Sequence, residues 1–198
     1  MVMKVLLTGF EPFGRFLINS SWEVAKEVAK CCTEELIDCR VEQLPVSFNQ
    51  VGDALRRLVA EHQYDVVLML GQASSADSIR LERVALNLMD ARGADNDGFA
   101  PSELPIEETG EAAYFTQVPI KQLREVLLRE GIEATISNSA GLYVCNRTYY
   151  EALCLVAEGV VGSALFVHLP CINEESEWGV EKMCRAMMII IKELHKHE

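Results

Sequence analysis

Short β-rich runs alternate along this chain with longer stretches of helical periodicity, and that alternation restricts the fold more than any other feature. "KVLLTG", "DCRVEQLPVS", "YDVVLMLG", "ATISNS" and "SALFVHLP" read as strands. Between and after them "SWEVAKEVAKCC", "FNQVGDALRRLVAEH", "IKQLREVLLREG", "RTYYEALCLVAEG" and "EWGVEKMCRAMMIIIKELHK" read as helices. Such an order predicts an α/β chain with a largely parallel central sheet covered on both faces. "VVLML" and "ALFVHLP" are continuously apolar rather than alternating, as expected of central strands buried on both sides. "IRLERVALNLMDA" (79–91) fits either strand or helix by periodicity, and we take it as one extended strand. Residues 92–110 are dense in Gly, Pro, Asp and Asn and read as a long loop of the kind that often covers a site, returning to a strand-like "AAYFTQVP".

At 198 residues the chain can bury a substantial core, and the absence of a repeat or linker predicts one domain over 1–198. The composition, 49% hydrophobic and 24% charged, is that of a globular protein. A net charge of −12 argues against nucleic acid and anionic membrane as partners, since both require clustered Lys and Arg. No run reaches the roughly 18 apolar residues of a membrane span, and "MVMKVLLTGFEPFG" lacks a signal-peptide pattern. The seven cysteines form an odd set without CxxC pairs, against a disulfide framework or a zinc site, so a reducing cytoplasm and no metal or cofactor are expected. Cys31, Cys32 and Cys184 read as small apolar fillers of helices.

Cys145 differs. The strand "ATISNS" and the loop "AGLYV" deliver it to the first turn of a helix, where unpaired N–H groups and the macrodipole favour negative charge. A cysteine there is either packed or a nucleophile. His168 follows "ALFV" near a strand's C-terminal end, the edge where open α/β sheets collect ligands; it is either a structural histidine or the base of a thiolate–imidazolium pair. His62, His195 and His197 fall at helix ends and read as solvated. Glu82, amid Leu81, Val84, Ala85 and Leu86, requires a partner. That partner is Arg80 or Arg83 in a salt bridge, or the His168 ring. Phe10 and Phe13 in "TGFEPFG" are core anchors or an apolar slot for a flat, uncharged ring. The segment is neither a dinucleotide fingerprint nor a phosphate loop.

Taken in order, "LLTGFEPFG" with Asn19 and Ser20, "LGQA" (70–73), "LERVALN" (81–87), "DAR" (90–92) with "DN" (95–96), "SNSAGLYVCN" (137–146) and "FVHLP" (166–170) resemble the pyroglutamyl peptidase I (pyrrolidone-carboxylate peptidase) family of cysteine peptidases. The resemblance implies an α/β/α sandwich that removes N-terminal pyroglutamyl residues from peptides, with Cys145, His168 and Glu82 as a triad. It also implies that Phe10 and Phe13 flank the lactam ring, that Gln72 and Arg92 lie near the reacting carbonyl, that Asn19 orders the pocket, and that Tyr143 and Val144 line it. The partners implied are pyroglutamyl peptides and further copies of the chain, in a homo-oligomer up to a tetramer. Departures are Ser74 and Ser75 where relatives carry Gly-Gly, Arg147 where they carry His, and Arg80 where a small hydroxyl residue is common. Rival readings are a homologue that binds pyroglutamyl-like ligands without turnover, and a phosphorylase of similar layering, for which neither a phosphate loop nor a basic cluster is present.

Overall fold

The structure, a computed structural model, describes residues 3–172 and 177–196. Its elements run β1 (Lys4–Phe10), α1 (Ser20–Glu34), β2 (Asp38–Leu44), α2 (Val51–Glu61), β3 (Val66–Gln72), β4 (Ile79–Glu82), β5 (Val84–Leu86), β6 (Ala113–Phe115), α3 (Ile120–Arg129), β7 (Ala134–Ser137), α4 (Val144–Ala157), β8 (Ser163–Leu169) and α5 (Val180–His195). Six strands form one sheet in the order β2-β1-β3-β8-β4-β7. Strands β2, β1, β3 and β8 are mutually parallel, whereas β4 meets β8 antiparallel and carries β7 parallel to itself. The sheet is therefore mostly parallel.

Each face of the sheet has its own apolar core. On one, Val5, Leu7, Leu68, Leu70, Leu165 and Val167 pack against α1, α3 and α5 through residues such as Val24, Val28, Leu123, Met187 and Ile191. On the other, Leu6, Val67, Met69, Ala164 and Phe166 pack against α2 and α4 through Leu55, Val59, Tyr149, Leu153 and Leu155. Alternate residues of a strand point to opposite faces, so a strand buried on both must be apolar throughout. That is the burial of β3, whose seven residues are all buried and, up to Gln72 at its end, carry no polar side chain. Each large side chain so buried contributes about 1.5–3 kcal/mol. The result is the three-layer α/β/α sandwich.

The expected single strand over 79–91 is a correction. β4 stays in the main sheet, β5 leaves it to pair with β6 in a separate two-stranded ribbon, and Arg83 is the break. At that break the Arg83 N–H donates to the Ser137 carbonyl while its own carbonyl accepts from Thr116 N–H, so the chain bonds in two directions at one residue. Periodicity cannot register such a change of partner, because both halves remain extended. The long loop is present and begins earlier than expected, at 87, tied across its neck by a bridge between Met89 and Leu104. The fourth helix starts at Val144, three residues before the run "RTYYEAL". No helix among the described residues is long and apolar enough to cross a membrane.

Candidate active site

The C-terminal ends of β1, β3 and β8 lie side by side, with Gly71 paired to His168 and Gln72 to Leu169. Above them opens a cleft of about 300 Å³ whose lining includes Phe10, Phe13, Asn19, Gln72, Tyr143, Val144, Cys145 and His168. The N-terminus of α1 ties this edge together. Asn19 caps the helix by accepting from Ser21 N–H at 3.1 Å and Ser21 Oγ at 2.7 Å, and its amide donates to the Glu11 carbonyl at 2.9 Å. Ser21 Oγ in turn accepts from Phe10 N–H at 3.0 Å. Gln72 Oε1 accepts from both the N–H and the Oγ of Ser20, at 2.8 and 2.7 Å, while its Nε2 is buried without a partner among the described residues.

Cys145 is the second residue of α4 and is partly exposed to the cleft. Tyr143 at the N-cap offers no side-chain acceptor to the helix, so the first N–H groups of α4 are left uncapped beside the thiol. The next residue, Asn146, is fully buried and pins the helix start to the β5 segment: its Oδ1 accepts from Leu86 N–H at 2.9 Å, and its Nδ2 donates to the Leu86 and Leu88 carbonyls. His168 lies one residue from the end of β8, its ring 4.9 Å from that of Phe166. A side chain at position 71 would meet the Phe166 ring at 2.7 Å and the His168 ring at 3.1 Å, so only glycine lets both rings lie against β3.

Glu82 is buried on β4, and its Oε1 is 2.8 Å from His168 Nδ1. It makes no ion pair with Arg80 or Arg83 among the described residues; Arg80 bonds to Ser75 instead. Burial lowers the proton affinity of His168, but hydrogen bonds and charge from Cys145 and Glu82 outweigh it and push the imidazole up to about 9. At neutral pH the ring is therefore an imidazolium held between a carboxylate and a sulfur.

Phe10 is buried at the end of β1 against Phe166, with ring centroids 6.3 Å apart. Phe13 is half-buried, 5.5 Å from Phe16 and 6.2 Å from Tyr143, so it presents a face to the cleft. Arg92 stays outside. It projects into solvent from the long loop, next to an Ala91 that packs on the core, and it takes no part in the cleft lining. Arg147 is turned along α4 into an ion pair with Glu151, which also meets Arg56 of α2. His62 and His195 are exposed; His197 lies outside the described residues.

Sequence reasoning missed several contributors. Phe16, Val46 and Ala140 also line the cleft. Buried Asp95 accepts from the N–H groups of Phe48, Asp97 and Phe99, at 2.8, 3.0 and 2.9 Å, folding the long loop back toward the site. Glu11 Oε1 accepts from Val46 N–H and Asn96 Nδ2, both at 2.9 Å, joining the first loop to that one. The available signal was Asp95 two residues before Asp97 in a Gly-bearing loop, the pattern of an Asx turn.

Comparison with known proteins decides the family. The pyroglutamyl peptidase family model matches residues 3–193. The chain belongs to the pyroglutamyl peptidase family. It is 41% identical over 198 residues to a pyrrolidone-carboxylate peptidase of Thermococcus onnurineus, covering 96% of this chain and 98% of that one. With the Bacillus subtilis pyrrolidone-carboxylate peptidase it shares 39% over 179 residues, 89% of this chain and 82% of the relative. Among solved structures, the pyrrolidone carboxyl peptidase of Fervidobacterium islandicum superposes with a TM-score of 0.91 at 35% identity, covering 98% and 99% of the two chains. The pyroglutamyl peptidase I of Bacillus amyloliquefaciens gives 0.89 at 36%, covering 96% and 93%. As a member of this family the chain is an enzyme, a cysteine peptidase.

Proposed function

We propose that the chain, folded as one peptidase domain, hydrolyses the bond after an N-terminal pyroglutamyl residue through Cys145, His168 and Glu82. The observation that carries this reading is the 2.8 Å contact between Glu82 Oε1 and His168 Nδ1 in the wall of the cleft that contains Cys145. Glu82 fixes the ring so that its other nitrogen faces the sulfur, and its negative charge stabilises the imidazolium. The Cys145 sulfur attacks the pyroglutamyl carbonyl carbon. The C–N bond then breaks as His168 gives its proton to the departing amine, leaving a thioester. Water, deprotonated by His168, hydrolyses that thioester and releases pyroglutamate. The uncapped N–H groups at the start of α4 suit the oxyanion that forms in both steps; losing one such donor in other enzymes costs about 10²–10³-fold.

Specificity follows from the walls. Pyroglutamate is a flat, neutral lactam, and Phe10, Phe13, Phe16 and Val144 offer it an apolar slot. The unpartnered Nε2 of Gln72 supplies a buried donor for one of its carbonyls. A charged amino terminus would lose its hydration there without gaining a counter-ion. Free thiols at all seven cysteines fit a reducing, cytoplasmic setting, and sedimentation would test the homo-oligomer that the resemblance implies. The decisive experiment compares a pyroglutamyl fluorogenic amide with its glutamyl counterpart and looks for the acyl-enzyme on Cys145 by mass spectrometry. Turnover of the first alone, through an adduct on Cys145, is expected; equal turnover, or an adduct elsewhere, would refute the reading. Pyroglutamate binding without any turnover would leave a silent binding homologue.

A further inference from the structure

Arg80 stands behind the cleft wall, bonded to Ser75, and no acid pairs with it among the described residues. Arg40, Arg56, Arg147 and Arg185 each pair with glutamates. Arg80, by contrast, donates to the carbonyl oxygen of Ser75 and, at 3.4 Å, to its Oγ, and pairs with no carboxylate among the described residues. Arg57 and Arg124 likewise donate to backbone carbonyls, so what distinguishes Arg80 is not the lack of an acid but where it stands. Its guanidinium has five N–H donors, and Ser75 does not occupy them all.

That place is beside the proposed catalytic histidine. Arg80 sits on β4 directly across from His168 in antiparallel register, so the two side chains leave the same face of the sheet. Ser75, which it grips, belongs to the cleft wall together with Ser74. In the mechanism above, His168 hands its proton to the departing amine, so the leaving part of the peptide begins at His168. The residue registered beside His168 is then next to the path of that segment, with Ser74 and Ser75 as the wall it passes.

We propose that Arg80 recognises a carboxylate on the leaving segment, so that the enzyme favours pyroglutamyl peptides carrying an acidic group close behind the scissile bond. This rests on the pyroglutamyl peptidase reading and deepens it. The planar guanidinium fork matches a carboxylate with two parallel hydrogen bonds. It also offsets locally the repulsion that an acid-rich protein exerts on an acidic peptide. The carboxylate has two sources, an Asp or Glu side chain after the pyroglutamyl residue or the free C-terminus of a short peptide.

The test is a set of kcat/KM ratios on the full-length enzyme. One pair is pyroglutamyl-glutamate amide against pyroglutamyl-glutamine amide; the other is pyroglutamyl-alanine with a free against an amidated C-terminus. A pyroglutamyl coumarin amide serves as the neutral reference. At low salt the charged member of at least one pair is expected to be favoured about threefold to tenfold, with the pair identifying the source, and rising ionic strength should shrink the ratio. Arg80→Gln should bring the ratio to about one, Arg80→Lys should keep part of it, and Arg80→Glu should invert it. An arginine that merely props Ser75 would change all substrates alike and leave the ratio untouched. Ratios near one in both pairs for the unaltered enzyme, or a ratio that survives Arg80→Gln, would overturn the proposal while the peptidase reading stands. Should Arg80→Gln fail to fold, a ratio that neither Arg80→Lys nor salt reduces overturns it equally. Failure to cleave even the coumarin amide would sink both readings together.

Discussion

Two groups of cysteines in this molecule share a chemistry and differ in almost everything else. Between α1, α5 and β2, Cys31 and Cys184 approach to 3.7 Å, and Cys32 lies against Met188. Burial, followed by its hydrogen bond with Cys31, pushes Cys184 up to about 12, and the hydrogen bond with neighbouring Cys32, with burial, pushes Cys39 up as well. Cys32 is shifted down by its hydrogen bond with Cys39, with Lys192 the smallest contribution, but these cysteines lie within α1, β2 and α5 rather than at an uncapped helix start, and their thiols serve as apolar volume. Cys145 sits across the sheet at an uncapped helix N-terminus, beside an imidazolium that Glu82 holds in place. What separates filler from proposed nucleophile is the set of neighbours, and each neighbour can be removed.

The largest expected effect comes from Cys145→Ser. Turnover of a pyroglutamyl amide should fall by roughly 10³-fold or more with the thermal melt unchanged, because a hydroxyl held by the same histidine is a far weaker nucleophile. Cys184→Ser should show the reverse, near-normal kinetics and a lower melting temperature. Exchanged outcomes would erase the contrast between the two groups.

Glu82→Gln comes next. It keeps volume but removes the charge that favours imidazolium, so kcat/KM should drop about tenfold or more. The same change predicts a pH-dependent stability difference. His168 is raised from its ordinary 6.5 to about 9, so its contribution to stability is complete below about pH 6.5 and is lost as pH rises through 9. Denaturant unfolding should therefore separate parent and variant most at pH 6 and least at pH 9.5. The alkaline limb of the rate profile, where His168 loses its proton, should move down in Glu82→Gln. An unmoved limb with normal kcat/KM would make Glu82 structural.

Smaller effects sharpen the slot. Phe13→Ala should raise KM for pyroglutamyl amides by about tenfold while altering stability little, since that ring is half-exposed. Phe10→Ala, at a fully buried ring, should instead cost about 3–5 kcal/mol of stability. If both variants behaved as stability mutants with unchanged KM, the phenylalanines would be anchors.

The sequence by itself determined the layers. The continuous apolar runs "VVLML" of β3 and "ALFV" of β8 could be satisfied only at the centre of a sheet covered on both faces, and the amphipathic helices supplied the covers. It also presented Cys145 at a helix start and His168 at a strand end, because caps, periodicity and strand ends are local properties. Tertiary structure alone decided the rest. Glu82 had three admissible partners, and the choice of His168 depended on β4 running antiparallel to β8, a pairing no local pattern encodes. The same registry set Arg80 beside His168, split the expected 79–91 strand at Arg83, and left Arg92 in solvent although its motif matched. Side-chain chemistry is written one residue at a time, whereas a pair of charges in contact is created by strand order. That order is settled by how the whole chain buries its apolar surface and pairs its backbone.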